Sequence, residues 1–130
     1  MADFRSRETP SAGQATTNAY VDVPLVYKAD GSGAAEAIFP NNTLAPLSFH
    51  VWNTGANAID FKVLASNDRS LADSLWVDQA LAGFTNVAAN AAVAVSIAQP
   101  GFAFYKVQTQ DHVGSSHGTA NVALAKQGTE

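Results

Sequence analysis

Asp111, His112, Ser115, Ser116 and His117 fall within the run QDHVGSSHGT, and they are the residue types of hydrolase triads and of metal sites. A triad needs a nucleophile, a base that reaches it and a third group that orients the base, and these normally arrive from separate loops. Side chains this close on one bend rarely converge on a point. Neither GSS nor SSHG sits in the strand-to-helix elbow that makes G-x-S-x-G informative. His112 and His117, five positions apart, are the metal candidates. A zinc or nickel site would need further ligands from elsewhere, and the remaining histidine, His50, lies in another strand-like run. The version of the metal idea that needs fewest partners has one histidine repeated around a symmetry axis. The run DGSGAAEA has glycines but lacks the Lys-Ser/Thr ending of a phosphate loop. Asp60, Asp68, Asp73 and Asp78 have no context that marks them for acid–base work. The bend therefore reads as a polar turn, with no enzyme signature, no catalytic residue and no cofactor.

The elements around that turn are strands. LSFHVWN alternates Leu47, Phe49 and Val51 against Ser48, His50 and Trp52, and AIDFKVLAS alternates Ile59, Phe61, Val63 and Ala65 against Asp60, Lys62, Leu64 and Ser66. With NTGAN between them, the two runs predict a hairpin. AYVDVPLVYK puts Val21, Val23, Leu25 and Tyr27 on one face, and Pro24 places it at an edge or bulge. AAVAVSIAQ aligns Val93, Val95 and Ile97. GFAFYKVQTQ turns Tyr105, Val107 and Thr109 inward if Lys106, Gln108 and Gln110 face water, and TANVALAKQ aligns Ala120, Val122 and Leu124. Residues 68–73 predict a turn or a single helical turn, followed by a strand around Trp76. Residues 1–18, polar and without an apolar period, predict an extended arm that carries Arg5 and Arg7 and orders where something docks it. The expectation is an all-β chain: an extended N-terminal arm (1–18) and one domain (19–130), an antiparallel β-sandwich, jelly-roll-like, of about seven or eight short strands.

Composition narrows the partners. The chain has 130 residues, 11 acids against 7 bases, a net charge of −4 and no cysteine. That balance argues against nucleic acid, and the missing thiols exclude disulfides and thiolate metal sites. No run approaches the roughly 20 apolar residues of a membrane helix, and the first residues lack the apolar core of a signal peptide. The expectation is a product made in the cytoplasm that is bound to no membrane. Charged residues are only 14% of the chain, which leaves much neutral surface for a partner to cover.

The same alternation leaves large groups on nominally outer faces: His50, Trp52, Leu64, Phe102 and Phe104. They point to a neighbouring subunit, to the arm or to a ligand, or are capped by loops of the same chain. Trp52 and Trp76, with Asn53, Asn67 and Asp68 nearby in sequence, are also the residue types that stack on sugar rings, so a glycan-binding or adhesion module is the alternative reading.

The runs NTGANAIDFKVLASND, SLWVDQ and FAFYKVQTQDHVGSSHGTANVALAKQ together resemble small cysteine-free β-sandwich structural proteins of tailed-bacteriophage virions, over roughly residues 45–126. Such proteins decorate capsids or form tail and fibre parts, commonly as trimers or larger rings. The resemblance implies a non-enzymatic virion protein that is homo-oligomeric and has the major capsid protein or other virion proteins as partners. It carries no catalytic residues. The expected contact residues are Arg5, Arg7, His50, Trp52, Trp76, Phe102 and Phe104.

Overall fold

The computed structural model describes residues 4–8, 13–26, 35–41, 44–79, 86–97 and 100–128. Among these the strands run β1 (Phe4–Glu8), β2 (Gln14–Ala15), β3 (Val21–Asp22), β4 (Leu25–Val26), β5 (Ala35–Glu36), β6 (Phe39–Pro40), β7 (Leu47–Asn53), β8 (Ile59–Ser66), β9 (Val77–Asp78), β10 (Asn86–Val87), β11 (Ala92–Ile97), β12 (Phe104–Asp111) and β13 (Thr119–Gly128). A short 3₁₀ turn at Asp73–Leu75 precedes β9. The total exceeds seven or eight because two-residue strands too short to show a period fill the edges.

Two antiparallel sheets form a sandwich. In the five-stranded sheet β13 lies between β7 and the pair β1 and β2, and β7 carries β11 on its far side. In the six-stranded sheet β8 pairs with β12. β9 and β10 lie beyond β8, and β3 and β6 beyond β12. β4 and β5 pair separately. The inward rows are those the alternation marks: Leu47, Phe49, Val51, Ile59, Phe61, Val63, Tyr105, Val107, Val122 and Leu124 are all at most 2% exposed. Phe49 and Tyr105 meet across the layers with ring centroids 6.3 Å apart. Each such side chain contributes about 1.5–3 kcal/mol by leaving water, and this term holds the layers together.

The expected hairpin of β7 and β8 does not form. β7 pairs with β11 and β13, whereas β8 pairs with β9, β10 and β12, so residues 54–58 cross from one sheet to the other. The bend at 112–118 makes the same crossing, from β12 to β13. Period-2 alternation cannot separate a hairpin from an inter-sheet arch, since either puts every second residue in the core. The two arches lie against each other. A Cβ on Gly55 would stand 2.6 Å from Thr119 N, and one on Gly118 would stand 2.5 Å from both Asn57 O and Ile59 Cγ2. Only glycine allows this approach. Asn53 locks the junction: its buried side chain donates to Asn57 O (2.7 Å) and accepts from Gly55 N (2.9 Å) and Thr119 N (3.1 Å).

The outer face of the six-stranded sheet differs from expectation. Lys106 and Gln108 do not face water; they are 3% and 4% exposed, and Leu64 beside them is also buried. Residues 68–76 fold over this face as a lid and lead into β9 at the sheet edge. Trp76 is buried there, donates from Nε1 to Leu71 O (3.1 Å), and has Lys106 Nζ 4.6 Å from its ring centroid. Leu75 in the lid and Val77 on β9 are exposed. Within the segment expected to be an arm, β1 and β2 run along β13 of the same chain, and Thr16 is buried.

Candidate functional site

The bend at 112–118 holds two His–Asp contacts. Asp111 ends β12 on the inward side, opposite Ile59, with its side chain wholly buried. Its Oδ1 accepts from Thr16 Oγ1 at 2.6 Å, and its backbone N donates to Thr17 O at 2.7 Å. Thr16 also donates from its backbone N to Gly118 O (3.0 Å), and Gly118 N donates to Thr16 Oγ1 (2.9 Å). His117 Nδ1 lies 2.9 and 3.1 Å from the two carboxylate oxygens of Asp111, with its ring largely exposed. Burial alone would raise the pKa of Asp111. The hydrogen bonds from Thr16, His117 and the Ser115 backbone, with the charge of His117, outweigh that and hold the carboxyl below its usual range. On the other side of the bend, His112 Nδ1 is 2.8 Å from Asp60 Oδ1 of β8. The turn is tight: Ser116 N donates to Val113 O, and Ser115 adopts a left-handed φ of 72°.

A histidine oriented through Nδ1 by a buried carboxylate is two parts of a triad. Among the described residues no serine hydroxyl bonds to His117, whose side-chain hydrogen bonds run to Asp111. No group of three or more His, Asp or Glu side chains gathers there to hold a metal. The expectation that bend residues would not converge fails for Asp111 and His117, which meet each other, and Asp111 is also bonded by Thr16, a residue of the expected arm. What they build is a pin. It ties the strand that enters from the N-terminal segment to the end of the sandwich where the arches cross.

The outer face of the five-stranded sheet gives a second candidate. Strand register places His50 between Ala94 and Ala123, Trp52 between Ala92 and Asn121, and Ser48 between Ser96 and Ala125. Small neighbours leave the His50 and Trp52 rings standing above the sheet, 4.9 Å apart and tilted by 40°. They line an open pocket of about 400 Å³ with Asn53, Thr54, Asn90, Ala91 and Ala92. Its polar rim is neutral: Asn121 Nδ2 donates to Thr54 Oγ1 (3.2 Å), and Asn90 holds a left-handed φ of 58°.

The other expected contact residues are spread apart. Trp76, part of the lid, turns its ring onto Lys106 and away from solvent, so it is not an exposed stacking platform. Phe102 packs partly buried against the core, and Phe104 is half-buried with the Arg69 guanidinium carbon 5.8 Å from its ring centroid. Arg5 and Arg7 pair through their backbones with Gln127 and Ala125, and their side chains lie outside the described residues, as do the side chains of Leu25 and Tyr27. The sequence reading missed a polar cluster under the lid. Lys106 Nζ contacts Asp73 Oδ1 and lies 3.5 Å from Asp22 Oδ1, while Gln108 Nε2 donates to Asp22 (2.8 Å) and Asp73 (2.9 Å). The hydrogen bond from Lys106 holds the Asp73 carboxyl below its usual range. Residues so far apart in the chain leave no local signal.

No family model matches the chain, and no curated protein matches it. Among solved structures, a chain described with Bacillus endospore appendages, a family of disulfide-linked pili, is similar over 99% of this chain and 93% of its own, at a TM-score of 0.46 and 8% identity. The present chain has no cysteine with which to form such links. Among the described residues no helix is long and apolar enough to cross a membrane.

Proposed function

We propose that this chain is a non-enzymatic structural subunit of a larger particle, a capsid-decoration or tail and fibre component of a virion, acting through symmetric packing of its own copies and docking of its N-terminal segment. The observation that supports this reading is the outer face of the five-stranded sheet. Ser48, Ala92, Ala94, Ser96, Ala123 and Ala125 make a field of small uncharged side chains around the His50–Trp52 pair, bounded on the β1 side by the arginine positions in register with Ala125 and Gln127. Such a field can be covered without stripping water from a charge, and it offers one aromatic anchor. The strands β1 and β2 support the docking part, because a segment that pairs in register on its own chain can make the same pairing on a copy.

Native mass spectrometry and electron microscopy of the full chain test the reading, with a trimer or larger assembly expected. A monomer at the highest soluble concentration would overturn it. Deleting residues 1–12 should weaken attachment to particles and leave the fold intact. The deletion must stop there, because loss of Thr16 would also unpin Asp111.

The His50–Trp52 pocket favours a second reading, a glycan-binding module in which a sugar ring stacks on Trp52 between Asn90 and Thr54. Binding on a glycan array that is lost in Trp52→Ala, with folding unchanged, would support it; an array without signal would set it aside.

A further inference from the structure

The two edges of the five-stranded sheet are built differently. One edge is β1, Phe4-Arg5-Ser6-Arg7-Glu8, which carries charged residues along its length. The other is β11, Ala92-Val93-Ala94-Val95-Ser96-Ile97, with no charge, no proline and no glycine. Exposed edge strands usually carry lysine, proline or a bulge that blocks further pairing. β11 carries none of these, and among the described residues it pairs only with β7.

The direction of its backbone groups follows from the ladder. Asn53 N donates to Ala91 O and Asn53 O accepts from Asn90 N, so the backbone groups of Asn53 face the β11 side. β7 runs in unbroken register, so Val51, Phe49 and Leu47 also face that way and engage Val93, Val95 and Ile97. The N–H and C=O groups of Ala92, Ala94 and Ser96 therefore point to the open edge.

We propose that this edge is a twofold contact between copies of the chain, with β11 pairing antiparallel to β11 of a second copy about an axis through Ala94. That register makes hydrogen-bonded pairs of Ala92 with the partner's Ser96, Ala94 with the partner's Ala94, and Ser96 with the partner's Ala92, about six bonds in all. It sets Val93 beside the partner's Val95 on the inner row, where Val93 and Ile97 are only partly buried in the single chain. The strand is complementary to itself: small residues meet small ones on the outer face, valine meets valine on the inner, and no like charges oppose each other. Two five-stranded sheets become one continuous sheet, and their Ala/Ser fields with the His50–Trp52 pairs join into a wider surface.

The inference rests on the assembly reading and is tested separately from it. Ala94→Pro removes an N–H that points away from β7, so the β7–β11 ladder survives while the new pairing cannot form. Ala94→Lys sets two ammonium groups opposite each other on the axis and is the second variant should the proline disturb the fold. In native mass spectrometry and sedimentation at matched concentration, the full chain should show a species of even copy number above two, such as a hexamer of two trimers joined at this edge, whose dissociation constant rises at least about tenfold in either variant, with unchanged circular dichroism. Amide exchange at Ala92, Ala94 and Ser96 should slow in the associated wild type and speed up in Ala94→Lys. A wild type that assembles equally well with Ala94→Lys, or whose three edge amides exchange as fast when concentrated as when dilute, overturns the edge contact and leaves the assembly reading standing. A strictly monomeric wild type overturns both.

Discussion

The sandwich has two outer faces, and the chain treats them in opposite ways. On the six-stranded sheet the face is charged: Lys62, Lys106, Asp22 and Asp60 all project from it, and residues 68–76 lie across it. There Lys106 is enclosed by Asp73, Asp22 and the Trp76 ring. On the five-stranded sheet the part of the face made by β11, β7 and the middle of β13 is alanine and serine around one His–Trp pair, with charge entering at the β1 edge, where Arg7 and Arg5 stand in register with Ala125 and Gln127, and there is no comparable lid among the described residues. A face that needs its charges paired is covered from within the chain. The uncharged field that would cost little to dehydrate is, among the described residues, the one left open, and that difference makes it the candidate contact surface.

The comparison is most directly strained at the two tryptophans. Trp76→Ala should destabilise the fold by about 3 kcal/mol, since it empties a buried site and uncovers Lys106, whereas Trp52→Ala should cost no more than about 1 kcal/mol. Chemical denaturation of both variants checks this, and equal losses would mean the faces do not differ in kind. Lys106→Ala should cost about 2 kcal/mol, less than a fully buried pair would, because Asp73 and Asp22 remain partly in water. His50→Ala at the corresponding position on the open face should stay within about 0.5 kcal/mol of the parent.

Acid gives a smaller, graded test. Asp73 and Asp111 both have folded pKa values below their ordinary value of 3.8. Their stabilising contribution is therefore complete above that value and is lost as pH falls through the lower folded values. The denaturation midpoint should show little change from these groups between about pH 7 and 5 and should drop below about pH 4. Asp73→Asn should remove the part that belongs to the lidded face. The smallest expected effect is on the open face itself: Trp52→Ala should leave the acid limb of that curve in place while reducing association of the chain.

How far the fold could be read from sequence depends on what period 2 encodes. Inward rows such as Leu47-Phe49-Val51 and Ala120-Val122-Leu124 were legible because alternation records which side of a strand is buried. Which sheet a strand joins was not legible, because an arch and a hairpin demand the same alternation; the β7–β8 turn was misread for that reason. The lid was legible only in part. A turn or single helical turn over residues 68–73 and a strand around Trp76 were expected, but nothing local showed that they would bury Lys106 and Gln108. At the site, Trp52 and His50 stood out as large rings on an outer row. The Thr16–Asp111 pin did not, because its partners lie at opposite ends of the chain and neither has a distinctive neighbour.

The last strand, β13, is the partner of β1, β2 and β7 at once. Until β13 docks, one layer lacks a middle strand and β7 has an unfilled flank. Closing that layer requires β13 to pair with β1, β2 and β7, long-range contacts of the kind that make such topologies slow. A stalled or clipped product lacking β13 would present the raw edge of β7, an invitation to mispair.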